Sequence, residues 1–263
     1  METRITAALD GVEFHKLDDA LVLQRLEESA PVMNITTAQR ASRFGSAITG
    51  RERTSLDVTL QFAILEEKNL PARMALLNKV NAWAMKGGYL TTNYRTGQRL
   101  RVVCSALPAA GYADEWEGSY TLTFRAFTVP CWEADKKNDT RISSRGATVV
   151  ISTEGNMETP LRIRAENRTN STCQTAKIVA AGKTLDFAGL GLAGGETLVI
   201  DYGADGLQFI RIEEKDGKTR SAMDKRTAAS HDEIMLQGDS RTSVRLSSGV
   251  ALDWTLSTFG RYL

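Results

Sequence analysis

Residues 116–127 read Trp-Glu-Gly-Ser-Tyr-Thr-Leu-Thr-Phe-Arg-Ala-Phe, and this stretch decides the fold class. Trp116, Tyr120, Leu122 and Phe124 share one parity; Glu117, Ser119, Thr121, Thr123 and Arg125 share the other. Successive side chains of a strand point to opposite faces, so a period of two predicts a strand with one buried face. Residues 53–64 repeat the pattern. Their even positions read Thr, Leu, Val, Leu, Phe, Ile, and their odd positions Arg, Ser, Asp, Thr, Gln, Ala. Twelve extended residues span about 40 Å, about twice the usual strand. Strands of that length continue beyond one sheet or bend at its edge.

Between these two strands the periodicity changes. Leu76, Val80 and Trp83 recur at helical spacing, with Leu77 and Ala84 beside them. Pro71 suits a first helical turn, Asn69 is a candidate cap, and Gly87-Gly88 ends the helix. An amphipathic helix over residues 71–86 is expected to lie on the sheet. A weaker helical pattern covers residues 17–28, carried by Leu21, Leu23 and Leu26.

After Glu133 the texture becomes polar and poor in aromatics (ADKKNDTRISSRGA), which predicts a domain boundary. Short strands follow at residues 161–165, 198–202, 207–212, 243–246 and 250–256. Turn signals separate them at Gly203-Ala-Asp-Gly206 and Asp216-Gly217-Lys218. Regularly spaced short strands predict a β-sandwich. The expected architecture is mainly β. Residues 1–134 form an antiparallel β-domain with one α-helix, and residues 135–263 form the sandwich.

Composition agrees with a globular chain: 42% of the 263 residues are hydrophobic and 25% charged. A chain of this length buries roughly three-quarters of its unfolded surface, so it needs no disulfide or metal to hold a core. The formal net charge is +1, with 15 Lys/Arg against 14 Asp/Glu up to Cys131 and 18 against 18 from there on. Neither part has the concentrated positive excess of a dedicated nucleic-acid binder. Cys104, Cys131 and Cys173 are odd in number and widely spaced, which predicts free thiols in a reducing compartment. The N-terminus lacks the basic start and apolar core of a signal peptide, and no stretch approaches the roughly 20 apolar residues of a membrane helix. The Asn-x-Ser/Thr matches at Asn34, Asn138, Asn167 and Asn170 are therefore read as chance.

Each motif that suggests chemistry fails on context. Gly189-Leu-Gly191-Leu-Ala-Gly194 matches GxGxxG, with Glu213 near the place of a ribose-binding acid. A dinucleotide site needs a helix opening on those glycines, but here they lead into the strand-like Glu196-Thr-Leu-Val-Ile-Asp201. They are read as a glycine turn between strands. Gly182-Lys183-Thr184 and Gly217-Lys218-Thr219 lack the phosphate loop's earlier glycine; Lys177 and Ile212 stand there instead. His15 and His231 are far apart, and Ser230-His231 has no nucleophile elbow around it. The acidic neighbours Asp18-Asp19, Glu27-Glu28, Glu66-Glu67 and Asp232-Glu233 diverge on a strand or a helix, so none is a glycosidase pair. No catalytic, cofactor or metal residue is expected. One charged segment stands out: Arg40, Arg43, Arg51 and Arg53 cluster around Phe44-Gly45 and Thr49-Gly50. Its plain reading is a solvated hairpin. Its functional reading is a loop facing a subunit interface or a DNA channel.

The order of these features resembles the distal tail (Dit) proteins of long-tailed bacteriophages. The resemblance rests on the alternating strand of residues 53–65, the single helix of 71–86, and the Gly-Gly turn into Tyr89-Leu90. It rests also on the exit Thr123-Phe-Arg-Ala-Phe-Thr-Val-Pro-Cys-Trp132 and on Gly194-Gly-Glu-Thr-Leu-Val-Ile-Asp201. It implies a hexameric ring at the tip of the tail tube, formed by the N-terminal domain around the DNA channel. It implies a galectin-like C-terminal sandwich pointing outward. The implied partners are the tail tube, tape measure and tip or tail-fibre proteins, with DNA only in transient passage and no membrane. The implied location is the virion tail tip after assembly in the host cytoplasm, in the service of host attachment. A near-neutral chain suits a channel that passes DNA without gripping it. The competing readings are a carbohydrate-binding module for host-surface adsorption, which would use exposed aromatics of the second domain to stack on sugar rings, and a hydrolase, which needs a carboxylate pair or metal site. Trp254 alternates with Val250, Leu252 and Leu256 and reads as core.

Overall fold

The computed structural model describes residues 5–30, 32–39, 46–65, 69–108, 119–203 and 206–263. It divides into two units, Met1–Trp132 and Glu133–Leu263. The strands of the first unit are β1 (Ala7–Leu9), β2 (Val12–Glu13), β3 (Leu21–Glu28), β4 (Val32–Gln39), β5 (Ser46–Ile64), β6 (Gly88–Thr92), β7 (Gln98–Ala106) and β8 (Ser119–Ala126). They pair antiparallel in the order β2-β1-β6-β7-β8-β5-β3, with β4 on the outer half of β5. The alternation drives this arrangement. Leu56, Val58, Leu60 and Phe62 of β5 lie opposite Ala126, Phe124, Leu122 and Tyr120 of β8, and all eight are buried. Trp116 and Glu117, the start of the stretch that predicted β8, lie outside the described residues.

The helix α1 spans Leu70–Ala84. The side chain of Asn69 accepts the Ala72 N–H at 3.0 Å, which satisfies one of the orphan donors of the first turn. Gly87 and Gly88 follow with φ of +61° and +125°, a backbone that other L-residues resist. The buried face is Leu76, Leu77, Val80, Trp83 and Ala84. Trp83 ties the helix to the sheet: its ring meets Phe14 at 5.6 Å and Phe124 at 5.7 Å, and its Nε1–H donates to the Val12 carbonyl at 3.0 Å.

The helix expected over residues 17–28 is instead strand β3. A bulge explains the misleading spacing. The register of β3 on β5 shifts between Leu23 and Arg25, so Leu21, Leu23 and Leu26 lie opposite Ile64, Phe62 and Leu60. The extra residue, Gln24, moves the third leucine from the i+2 to the i+3 position while keeping all three on the core side.

The short β9 (Trp132–Ala134) leads into the second unit. There follow β10 (Asn138–Thr153), β11 (Thr159–Pro160), β12 (Arg162–Glu166), β13 (Cys173–Ala180), β14 (Lys183–Leu192), β15 (Thr197–Tyr202), β16 (Gln208–Glu213), β17 (Thr219–Ser221), β18 (Met235–Leu236), β19 (Ser240–Thr258) and β20 (Arg261–Tyr262). Two long strands organise it. The first half of β19 pairs with β13, and its second half pairs with β12. The strand β10 pairs along the whole of β19, with a register break at Ser144/Gly146 that faces Ser247 and Leu252. Two layers result, β14-β13-β19 and β19-β12-β15-β16-β17, both bordered by β10. They close over one core that includes Ile178, Phe187 and Leu246 from one layer and Ile163, Ile200 and Trp254 from the other. The polar stretch after Glu133 is thus largely strand, and residues 243–246 and 250–256 are one strand, not two. Polarity misled because β10 lies at the rim, where alternate residues face water.

Asn167 pins one end of this core. It is fully buried, and its Nδ2 donates to the carbonyls of Ser171 and Leu192, both at 2.8 Å. Its Oδ1 accepts the backbone and hydroxyl donors of Thr169 at 3.0 and 2.7 Å. The outer edge of β14 is covered by residues 227–231: Thr227 N donates to Asp186 O at 2.9 Å and His231 N to Thr184 O at 2.7 Å. Covering an edge in this way blocks pairing with foreign strands.

Candidate assembly surface

The strand β5 is 19 residues long, but β8 accompanies only Leu56–Ala63 and β3 only Val58–Ile64. Its outer half pairs with β4 alone among the described residues, from Val32↔Ser55 to Gln39↔Ser46. An isolated two-stranded ribbon is at best marginally stable in water, because so narrow a pair buries little apolar surface. Two bulges twist it, at Val32/Met33 and Thr36/Thr37. A threonine hydroxyl accompanies each: Thr54 Oγ1 donates to the Val32 carbonyl at 3.4 Å and Thr49 Oγ1 to the Thr36 carbonyl at 3.2 Å. The ribbon also carries apolar side chains in the open. Val32, Met33, Ile35 and Ile48 are 53%, 45%, 57% and 52% exposed. Scattered exposed apolar residues are ordinary, but four on one two-stranded ribbon make it a candidate interaction surface.

Of the four arginines singled out from sequence, Arg51 and Arg53 lie on this ribbon as register partners of Ile35 and Met33. Arg40 and Arg43 lie outside the described residues. The apolar residues of β4 were not singled out from sequence. Their signal is there, in Val32, Met33 and Ile35, but the segment lacks a clean period of two.

The chemistry-like motifs fall into structural places. Gly189 and Gly191 sit in β14 with φ of +64° and +58°. They form a bulge, since Thr175 pairs with Ala188 but Cys173 with Leu192. A Cβ on Gly194 would lie 2.2 Å from the Thr169 carbonyl oxygen, so close backbone approach explains that glycine. Glu213 is held by Arg164 at 2.6 Å and Arg211 at 2.8 Å, and these guanidinium hydrogen bonds, Arg164's first, keep its carboxyl below the ordinary range. Gly182 and Gly217 are turn residues with φ of +73° and +83°. The Thr184 N–H donates to His231 Nδ1 at 3.0 Å, so that ring caps an edge. Ser230 Oγ is engaged with Asp186, accepting its N–H at 2.8 Å and donating to its carbonyl at 2.7 Å. Asp18 pairs with Lys79 at 3.3 Å, Glu28 with Arg95 at 2.7 Å, and Asp232 with Arg226 at 3.0 Å. Among the described residues, no group of three His, Cys, Asp or Glu is placed to hold a metal ion. All three cysteines are free, with Cys131 and Cys173 buried and the Cys104 thiol pushed up by burial. No helix is long and apolar enough to cross a membrane among the described residues.

The fold is similar to that of a phage tail hub protein. The crystal structure of the SPP1 Dit protein (gp 19.1) superposes with a TM-score of 0.73 over 99% of this chain and 100% of that one, at 14% sequence identity. That protein is described as a paradigm of the hub of the adsorption apparatus in phages infecting Gram-positive bacteria. The baseplate of phage p2 in its activated conformation contains a chain that matches at a TM-score of 0.48 and 8% identity, over 97% of each chain. No protein-family model and no curated protein matches the sequence. The SPP1 Dit-like fold accounts for both units, since the superposition leaves almost no part of either chain uncovered. A fold shared at this identity fixes architecture, and function has to be argued from the surface.

Proposed function

We propose that this chain is a structural subunit of a bacteriophage tail tip or baseplate. In this role it assembles with copies of itself into a ring hub, hexameric as in the resemblance drawn from sequence. The ring joins the tail tube to the tip and leaves a path for DNA. Residues 1–134 build the ring, residues 135–263 form a galectin-like sandwich that meets other tail components, and the chain catalyses nothing. One observation carries the reading. The whole chain takes a tail-hub fold, and the feature within it left unfinished is an apolar ribbon made by β4 and the outer half of β5. Closed head-to-tail contacts generate cyclic symmetry, and a protruding ribbon that packs on a neighbour supplies such a contact. Arg51 and Arg53, with Arg40 and Arg43, belong to this proposed interface or channel segment.

The test is the mass of the purified protein in solution, alone and with tail tube and tip proteins, with electron-microscope images of the product. A ring of fixed copy number, alone or on addition of a tail partner, is the expected result. A strict monomer that ignores tail proteins under all these conditions overturns the proposal.

A further inference from the structure

The outer face of the layer β19-β12-β15 in the second unit contains an open cleft of about 400 Å³ bordered also by β10. This is within the range of about 300–1,000 Å³ that small-ligand sites occupy. Alternation brings its lining together: Arg164 lies opposite Thr255 across β12 and β19, and Glu166 opposite Asp253. The cleft is held by a charged lattice. Arg168 reaches Asp253 with Nε at 2.9 Å and Glu166 with Nη2 at 3.0 Å, while Arg164 reaches Glu213 at 2.6 Å. These two carboxylates are the first-order reason the Arg168 guanidinium is held still more firmly protonated, Glu166 ahead of Asp253. A guanidinium carries five N–H donors in a rigid fork, so such pairs orient the fork without consuming it. Arg141, 77% exposed, stands at the β10 side.

Three features define what this cleft recognises. Its charges nearly cancel, three arginines against Glu166 and Asp253, with Glu213 behind Arg164. That argues against a polyanion, which needs a clear positive excess. Its lining mixes donors and acceptors, and the hydroxyls of Ser143, Thr197 and Thr255 can serve as either. A ligand of many hydroxyl groups matches such a surface, because each hydroxyl donates once and accepts twice. Lastly, Trp254 lines the floor but is 1% exposed, with its Nε1–H donating to the Ser144 carbonyl at 3.1 Å. No aromatic face is offered for stacking.

We infer that this cleft is a binding site for a neutral saccharide or sugar-sized polyol, larger than glycerol, held by hydrogen bonds from the Arg164–Arg168–Glu166–Asp253 lattice rather than by ring stacking. The site is independent of ring assembly, so its test does not depend on the proposed function. The full-length protein, isotopically labelled, is titrated with glucose, galactose, mannose, rhamnose, N-acetylglucosamine and ribitol, and separately with glycerol and inorganic phosphate, while backbone amide shifts are followed. At least one sugar or ribitol is expected to shift the amides around Ser143, Thr197 and Thr255 saturably. Arg168→Gln and Asp253→Asn are each expected to weaken that binding at least about tenfold, the worth of one charged hydrogen bond. Lys218→Gln, on a turn outside the cleft lining, is expected to leave it unchanged. The inference is overturned if none of these compounds gives localised saturation below about 50 mM. It is also overturned if glycerol gives the same response as every sugar, or if phosphate shifts these amides in preference to all of them. Thermal unfolding of each variant separates loss of the site from loss of the fold, and normal binding by both folded variants refutes the lattice's role.

Discussion

The ribbon of β4 and the outer half of β5 offers the sharpest test of how the chain assembles. The perturbation is the pair Ile35→Thr and Ile48→Thr, which keeps a β-branched side chain and so preserves the preference for strand. The two isoleucines are already 57% and 52% exposed in the single chain. Full burial of such a side chain stabilises by about 1.5–3 kcal/mol, so roughly half of that, about 1 kcal/mol each, is left to be realised on association. Removing both weakens one chain-to-chain contact by about 2 kcal/mol, a change of about 30-fold in its dissociation constant. The folded single chain loses less, because the two-stranded ribbon can open locally without unfolding the core of its unit. The assay is a dilution series with mass measured at each concentration, paired with urea unfolding of the same sample. The expected result is an association midpoint shifted to about 30-fold higher concentration, with unfolding stability changed by no more than about 0.5 kcal/mol. An unshifted midpoint refutes the reasoning. So does a large drop in unfolding stability, which would mean the two isoleucines serve their own domain.

Three further outcomes are expected. Trp83→Ala removes the ring that meets Phe14 and Phe124 and leaves the Val12 carbonyl without its donor, so it should cost about 3–5 kcal/mol in urea or thermal unfolding of the first unit. Asn167→Ala removes the buried donor to the Leu192 carbonyl, whereas the Ser171 carbonyl keeps the Thr169 hydroxyl, and a buried unpaired group costs about 1–3 kcal/mol, so a loss of about 1–3 kcal/mol is expected from the unfolding of the second unit. Asp57 is held below the usual carboxylate range, chiefly by hydrogen bonding to Arg125, whose Nε and Nη2 both donate to it at 2.7 Å. A depressed folded-state value means the stabilisation is complete above the unfolded carboxylate pKa of about 3.9 and fades as pH falls through the folded value. Asp57→Asn should therefore lower stability near neutrality and cease to matter in strong acid. An equal effect at both ends of a pH series of unfolding curves contradicts that.

Much of the architecture was legible because one physical rule, the parity of buried positions, governs β5, β8 and the core. Val58, Leu60, Phe62, Leu122 and Phe124 announce it without help. The helix was legible from a different period, the three-to-four-residue spacing of Leu76, Val80 and Trp83, with Asn69 and Gly87 supplying its ends. Reading failed where one residue breaks parity. Gln24 turned the β3 leucines into a helix-like series. The hairpin of β13 and β14 was missed because its inward residues include Ala176 and Ala180, and because Gly189 and Gly191 interrupt the other strand. The candidate surface was half legible. Charge drew attention to Arg51 and Arg53, whereas Ile35 and Ile48 gain meaning only once the structure leaves them about half exposed among the described residues. The cleft of the second unit was not legible, since Arg141, Arg164, Arg168 and Asp253 come from three strands and a loop far apart in the chain.

The pairing of β10 with β19 has a consequence for biosynthesis. Asn138 is the register partner of Thr258, five residues from the chain end. The strand that runs through both layers, β19, is therefore made only after β11 to β18, which lie between it and β10 in the chain. Until β19 has been made, the second unit lacks its central ladder, because β10, β12 and β13 all pair with that strand. Contacts this distant in sequence are also slow to find, since the loop must close before the ladder stabilises it. The first unit has its helix and its long strands complete well before that moment, and domains commonly fold as they emerge, the N-terminal one first. The sandwich, and with it every surface it presents, therefore matures later than the first unit.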